Sequence, residues 1–442
     1  MAVLAKVGMV SLGCPKNLVD SEHMLGLLVE AGYEVTADAA DADVLIVNTC
    51  GFIEEAKRES VEAVLDMARF KADGRCRALI VAGCLAERYR MELLENIPEA
   101  DGIMGVGAVA DVCSVVAEAL AGRRPVLFPA AGPERCMPRV GLTPRHTAYL
   151  RIADGCSNRC SYCAIPGIRG PLRSKPLDLV LGEASSLAES GVMEVVLVAQ
   201  DCTAWGTDIY GRPSLHLLVR RLAAVSGFHW IRLMYCHPSR VTDDLIEVMA
   251  ATPKVCHYLD VPVQHASARI LRLMKRPHDA GHVLEVVGKL RRAMPDVALR
   301  TTYMVGFPGE TERDFSELLA FMKEARFDRA GVFVYSPEEG TPAASLGGRV
   351  PERTKRDRYR RAMSLQRTIS RSMNRRLVGS RVEVLVERRL GPTRWLGRTW
   401  RDAPEVDGVA HLSGPAPAPG TFVPAVVASA GAYDIHCTVE EH

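Results

Sequence analysis

The first 135 residues alternate short, nearly continuous apolar runs with stretches of helical period. Val7–Leu12, Val44–Asn48 and Ala78–Ala82 read as strands buried on both faces, and Asn17–Ala31 and Glu54–Phe70 as helices between them. That alternation predicts an α/β domain built on an open parallel sheet over residues 1–135. The Gly-, Pro- and Arg-bearing stretch Ala121–Thr147 reads as a crossing segment, with the linker itself at 136–147. A second series follows in residues 148–350. Six apolar segments, Ala148–Ile152, Val192–Ala199, Trp230–Tyr235, Tyr258–Val263, Ala298–Val305 and Gly331–Tyr335, are separated by helical patterns such as Leu177–Glu189, Asp243–Ala250 and Glu312–Ala325. Six βα units predict a partial (β/α)6 TIM barrel rather than a closed eight-stranded one.

Residues 351–377 read as one long helix. It carries Arg353, Lys355, Arg356, Arg358, Arg360, Arg361, Arg367, Arg371, Arg375 and Arg376 against only Glu352 and Asp357. Two readings stand side by side, a solvated face and a contact surface for RNA or the ribosome. Residues 378–442 change to short β-type runs with Gly and Pro turns, which predicts a small antiparallel β-barrel. Six arginines there stand against eight acids, Glu383, Glu387, Asp402, Glu405, Asp407, Asp434, Glu440 and Glu441. Such a face is expected to repel phosphate and suit a basic protein.

Length and charge change this picture little. A chain of 442 residues suggests about three domains. Lys+Arg 55 against Asp+Glu 53 leaves +2, so there is no overall basic field. Met1–Gly8 lacks a basic start followed by a long apolar run, and no stretch reaches the roughly 18 apolar residues of a membrane span. No membrane partner and a cytoplasmic location are expected.

Cysteine changes it a great deal. Thirteen cysteines without a signal peptide point away from disulfides and toward metal or redox chemistry. Cys156, Cys160 and Cys163 form a C-x3-C-x2-C loop after the first barrel strand. Three thiolates fall one short of a closed tetrahedral site, so an iron-sulfur cluster with one open iron fits better than zinc, which the C-x2-C half alone would suit. Cys14, Cys50 and Cys84 each end one of the first three strands. Parallel strands share one carboxyl edge, where ligands of such sheets bind, so a second three-thiolate site is expected there. Cys76, Cys113, Cys136, Cys202, Cys236, Cys256 and Cys437 read as small buried hydrophobes.

Five motifs carry a resemblance over nearly the whole chain. They are Ser11-Leu-Gly-Cys-Pro-Lys-Asn-Leu-Val-Asp-Ser21, Asn48-Thr-Cys-Gly-Phe-Ile53, Ala82-Gly-Cys-Leu-Ala86, Asp154-Gly-Cys-Ser-Asn-Arg-Cys-Ser-Tyr-Cys-Ala-Ile-Pro166 with Ile168-Arg-Gly170, and Val305-Gly-Phe-Pro-Gly-Glu-Thr311. Together they resemble the methylthiotransferase family of radical S-adenosyl-L-methionine (SAM) enzymes. That family joins an N-terminal cluster domain, a radical SAM core and a C-terminal TRAM domain. The wording of Cys14-Pro-Lys-Asn, Ala199-Gln-Asp-Cys-Thr-Ala-Trp-Gly206 and Pro262-Val-Gln-His-Ala-Ser267 resembles the branch that modifies an aspartate of small-subunit ribosomal protein S-12. Met234-Tyr-Cys-His-Pro238 departs from it, a Tyr-Pro pair being more usual. The tRNA-adenosine (MiaB-like) branch, and a non-catalytic iron-sulfur electron or sulfur carrier, remain alternatives.

The resemblance implies two 4Fe-4S clusters, on Cys14, Cys50 and Cys84 and on Cys156, Cys160 and Cys163. The β-carbon of an aspartate carries no proton that a side chain can remove, so a radical is required. One SAM would methylate a sulfide on the first cluster. A second, at the open iron of the other, would yield the radical that takes the hydrogen. Tyr162, Gly306, Phe307 and Gly309 are expected near SAM, and Gln264 and His265 are candidates to face the substrate. No general acid or base is assigned. Expected partners are S-12 or the small ribosomal subunit, an electron donor such as flavodoxin and a sulfur source, with the chain a monomer.

Overall fold

The computed structural model describes residues 4–440 apart from 131, 133 and 417. Met1–Val3 of the leading segment and Glu441 of the acidic tail therefore lie outside the described residues. The chain divides into two compact units. One comprises Met1–Thr143, Asp154–Asn158 and Cys163–Gly182, the other Pro144–Ala153, Arg159–Tyr162 and Glu183–His442.

In the first unit six parallel strands lie in the order Glu34–Thr36, Lys6–Ser11, Val44–Thr49, Ala78–Gly83, Gly102–Met104, Val126–Leu127. Every residue of Val44–Thr49 and Ala78–Gly83 is buried, as a parallel sheet covered on both faces requires. The two-residue period of a strand sorts them. Val44, Ile46, Ala78, Ile80 and Ala82 join the core with Met24, Leu28 and Val116, while Leu45, Val47, Leu79 and Val81 join the other with Val64 and Leu93. Glu34–Thr36, Gly102–Met104 and Val126–Leu127 were not legible as strands, being two or three residues long.

In the second unit six parallel strands stand in sequence order, Thr147–Arg151, Glu194–Val198, Trp230–Leu233, Val255–Asp260, Ala298–Val305 and Arg329–Val334. This is the partial barrel. Its fourth strand begins at Val255, three residues before the apolar run foreseen for it. The long helix spans Glu352–Arg375. A closed five-stranded barrel follows, from Arg381–Gly391, Arg394–Arg398, Ala410–Ser413, Ile435–Val439 and Phe422–Ala430. Four of its neighbour pairs are antiparallel, and Ala410–Ser413 with Ile435–Val439 is parallel.

The acidic tail does not form the free face expected of it. The side chains of Asp402 and Asp407 are buried. Asp402 takes Arg329 at 2.7 Å, and Asp407 accepts from the Tyr258 hydroxyl at 2.7 Å and from Arg300 at 3.3 Å. Glu387 pairs with Arg398, Glu383 with His229 and Glu440 with Arg381. Asp402, Asp407, Glu387 and Glu440 neutralise this chain's own arginines, and the loop between Arg398 and Ala410 is an internal ionic plug at barrel strands.

Candidate functional site

The three strand-end cysteines lie on one edge. Ser11 registers with Asn48 and Thr49 with Gly83, so Cys14, Cys50 and Cys84 follow adjacent strands at nearly the same level. Each connection is fastened. The Asn17 side-chain amide donates to the carbonyls of Leu12 (2.8 Å), Asn48 (3.2 Å) and Thr49 (3.3 Å). Ser60 accepts from the Cys50 amide at 2.9 Å, and the Thr49 hydroxyl donates to Ala82 at 2.6 Å. Glycine is required for so close an approach. A Cβ on Gly13, at φ +88°, would lie 2.7 Å from the Cys50 Cβ and 2.9 Å from its sulfur.

Arg169 sets the charge of this edge. Its guanidinium is buried and donates to Asp154 at 3.1 Å, to Asn17 at 3.2 Å and to Asp20 at 2.8 Å. Burial pushes the Cys84 thiol up to about 11 against the pull of Arg169. Burial likewise raises Cys50. At Cys14 burial is outweighed by the charges of Lys16 and Arg169 and by the amides of Asn17 and Lys16, so that thiol is lowered. Among the described residues no three His, Cys, Asp or Glu side chains converge tightly enough to grip one metal ion. A cluster, in which each thiolate takes a separate iron, suits three spaced sulfurs better than a single zinc does.

The C-x3-C-x2-C loop is held at both ends, each within its own unit. The Cys156 amide donates to Gly170 at 3.0 Å, and the Ser157 hydroxyl accepts from Leu172 at 3.1 Å. On the other side the Ser161 amide donates to Met274 at 3.0 Å and its hydroxyl to Leu273 at 2.7 Å. Arg276 reaches the Cys160 sulfur at 3.7 Å. All three cysteines of the loop are partly exposed. Tyr162 packs on Ile270, Met274, Phe307 and Tyr335.

The glycine loop spends its donors internally, since the Gly306 and Phe307 amides both donate to Glu310 and the Gly309 amide to Gly348 at 2.7 Å. Phe307 is fully buried in an apolar cluster. His265 has no exposed surface; its Nδ1 accepts from the Ser267 amide at 3.0 Å, and Nε2 lies 3.9 Å from Glu310. These contacts brace the loop. Gln264 is half-buried at φ +72° and bridges to Tyr303 through its backbone. The remaining cysteines are not all buried, as the sequence led one to expect: Cys76, Cys202, Cys236, Cys256 and Cys437 are buried, but Cys136 is exposed and Cys113 only half-buried.

The fold and its cysteine edges define a class. Residues 6–105 match the uncharacterized protein family UPF0004, 150–322 the radical SAM superfamily and 378–439 the TRAM domain. The radical SAM methyltransferase TsrM of Kitasatospora setae, solved with cobalamin and a [4Fe-4S] cluster, superposes with TM-score 0.55 at 16% identity over 76% of each chain. The cobalamin-dependent SAM radical enzyme OxsB gives 0.53 at 10% identity, over 83% of this chain and 56% of its own. Ribosomal protein uS12 methylthiotransferase RimO of Pelotomaculum thermopropionicum is 51% identical over 97% of this chain and 98% of its own, and that of Desulforudis audaxviator 50% over 99% and 98%. The chain belongs to the RimO family of uS12 methylthiotransferases.

Proposed function

We propose that this chain adds a methylthio group to the β-carbon of an aspartate in ribosomal protein uS12, with one SAM as methyl donor and a second as radical source. The observation that carries the reading is the edge where Cys14, Cys50 and Cys84 meet around Arg169, in a chain about half identical to RimO relatives along its length. Cys14, Cys50 and Cys84 hold one 4Fe-4S cluster, and Cys156, Cys160 and Cys163 the other. When bound, the clusters and SAM supply the 5′-deoxyadenosyl radical and the methylthio group. Asn17 and Ser60 fix the loops that present the first three sulfurs. Arg169 offsets their negative charge as they ionise, which assembly of a cluster demands. Arg276 does the same for Cys160.

The finer partners follow from the chemistry. A low-potential electron donor such as flavodoxin and a sulfur source are required, and the chain acts as a monomer in the cytoplasm, where its substrate is made. Among the described residues no helix is long and apolar enough to cross a membrane. The test is anaerobic: reconstitute the clusters, add SAM, sulfide and reductant, offer a uS12 loop peptide beside unmodified tRNA, and read both by mass spectrometry. A methylthio gain on the peptide's aspartate is the expected result. A gain on tRNA alone refutes it.

A further inference from the structure

The long helix sorts its cations by face. Lys355 and Arg358 turn inward, Lys355 donating to the Tyr335 carbonyl at 3.1 Å and Arg358 to the Glu310 carbonyl at 3.1 Å. Outward lie Arg353, Arg356, Arg360, Arg367, Arg371 and Arg375, all exposed. Their spacing by threes, fours and sevens puts them on one stripe about 33 Å long. Ion pairing is nearly absent along it. Arg360 has Asp357 at 3.9 Å, and among the described residues the other five have no carboxylate partner. Arg361, off the stripe, is the residue that takes Glu312 at 2.9 Å. Beside the stripe a surface hollow of about 540 Å³ is lined by Glu352, Arg353, Arg356, Tyr359 and Arg360. Tyr359 is 37% exposed there, an aromatic face set among guanidiniums.

We propose that this stripe docks on the phosphate backbone of small-subunit ribosomal RNA, so that the enzyme engages its protein substrate on the subunit. The inference rests on the functional reading above, which supplies the subunit. Charge then selects the component. Ribosomal proteins are basic and would be repelled by unpaired arginines, whereas RNA phosphates match them. Arginine's planar fork suits phosphate oxygens better than lysine's point charge, and all six positions are arginine. Tyr359 offers a platform for an unpaired base. The acids of the C-terminal barrel do not oppose this, since Asp402 and Asp407 are already buried against Arg329 and Arg300.

The experiment uses the full, anaerobically reconstituted chain and its R353Q/R360Q/R367Q/R371Q variant, with the four-lysine equivalent as a control for charge alone. Binding to small subunits from cells lacking the modification is measured across a KCl series, beside free uS12 and tRNA, and methylthiolation of the uS12 peptide is followed on the same samples. The glutamine variant is expected to lose at least tenfold in subunit affinity at low salt. Its slope of log K against log salt should shrink by about three, with peptide modification retained. The lysine variant is expected to keep the slope. An unchanged slope with the peptide modified overturns the stripe alone. Equal losses for free uS12, or for tRNA, overturn the assignment to small-subunit RNA. A wild-type enzyme that modifies neither the peptide nor uS12 in the small subunits overturns the functional reading and this choice of RNA with it.

Discussion

Two buried places in this molecule pair arginine with carboxylate and hold a cysteine nearby, and they are built for opposite ends. At the sheet edge Arg169 is tied to Asp20 and Asp154, and its charge helps to lower Cys14. In the barrel, Glu194 receives Arg232 at 2.7 Å together with Arg398, and Arg398 also reaches Glu387 at 2.6 Å. Cys256 stands beside that group, yet burial pushes it up to about 12 even with Arg232 present. The difference lies in what surrounds the sulfur. Cys14 caps a helix and has Lys16 and the amides of Lys16 and Asn17 around it. Cys256 sits inside a strand with its neighbours' charges already cancelled. A guanidinium alone does not bring a thiol down: Cys84 stays raised beside the same Arg169, and Cys14 is lowered because Lys16 and the amides of Lys16 and Asn17 act with it.

The largest effect expected is at the sheet edge. Cys84→Ala should abolish methylthiolation and remove one cluster's iron, while the melting temperature of the metal-free protein stays within a few degrees. Iron and sulfide analysis beside thermal unfolding checks this. Retained activity with full iron would show that the edge is structural after all.

Arg169→Met comes next. It removes the buried cation that Asp20 and Asp154 share, with Arg173 still 3.5 Å from Asp154, at about 3–5 kcal/mol, and should weaken iron loading at the neighbouring cysteines by about 10–100-fold. Iron titration of a variant lacking Cys156, Cys160 and Cys163 isolates that site. Arg169→Lys should recover most of the stability and only part of the loading.

The counterpart is Glu194→Gln. Leaving Arg232 without its carboxylate, and Arg398 with Glu387 in place of two, should also cost about 3–5 kcal/mol, but iron content should not change. Acid separates it further. Burial alone would raise the Glu194 carboxyl, but Arg398 and Arg232 hold it at about 2, against an ordinary value of 4.5. Its stabilisation is complete above pH 4.5 and fades as pH falls from there toward 2. Denaturant titrations of the two proteins across that window should converge at its acid end.

The same contrast explains what could be foreseen. Cys14, Cys50 and Cys84 were legible because strand period and residue type coincide at each strand end, and a parallel sheet must then gather them. Arg169 was visible only as a letter in Ile168-Arg-Gly170, because the partners that give it a role lie about 150 residues away. The plug was misread for a related reason. Asp402 and Asp407 count as surface charge in any local window, and only Arg329 and Arg300 from distant strands take them inside. The two-residue strand Val126–Leu127 lies in the stretch read as a crossing segment. A strand so short gains its place from its neighbour in the sheet, not from its own pattern.

The smallest effect tests on which side of the contrast the glycine loop belongs. Gly306 sits at φ +75°, and a Cβ there would meet the Lys355 side chain at 2.4 Å. Gly306→Ala should therefore cost about 1–3 kcal/mol through backbone strain and crowding together. If packing against the long helix is the reason for glycine, Lys355→Ala in the same chain restores the crowding part. It leaves about 1–2 kcal/mol of backbone cost, and SAM affinity in equilibrium binding is unchanged throughout. If the backbone instead lies against SAM, Gly306→Ala weakens SAM binding and Lys355→Ala does not rescue it. The amides of Gly306 and Phe307, both held by Glu310, favour the first outcome.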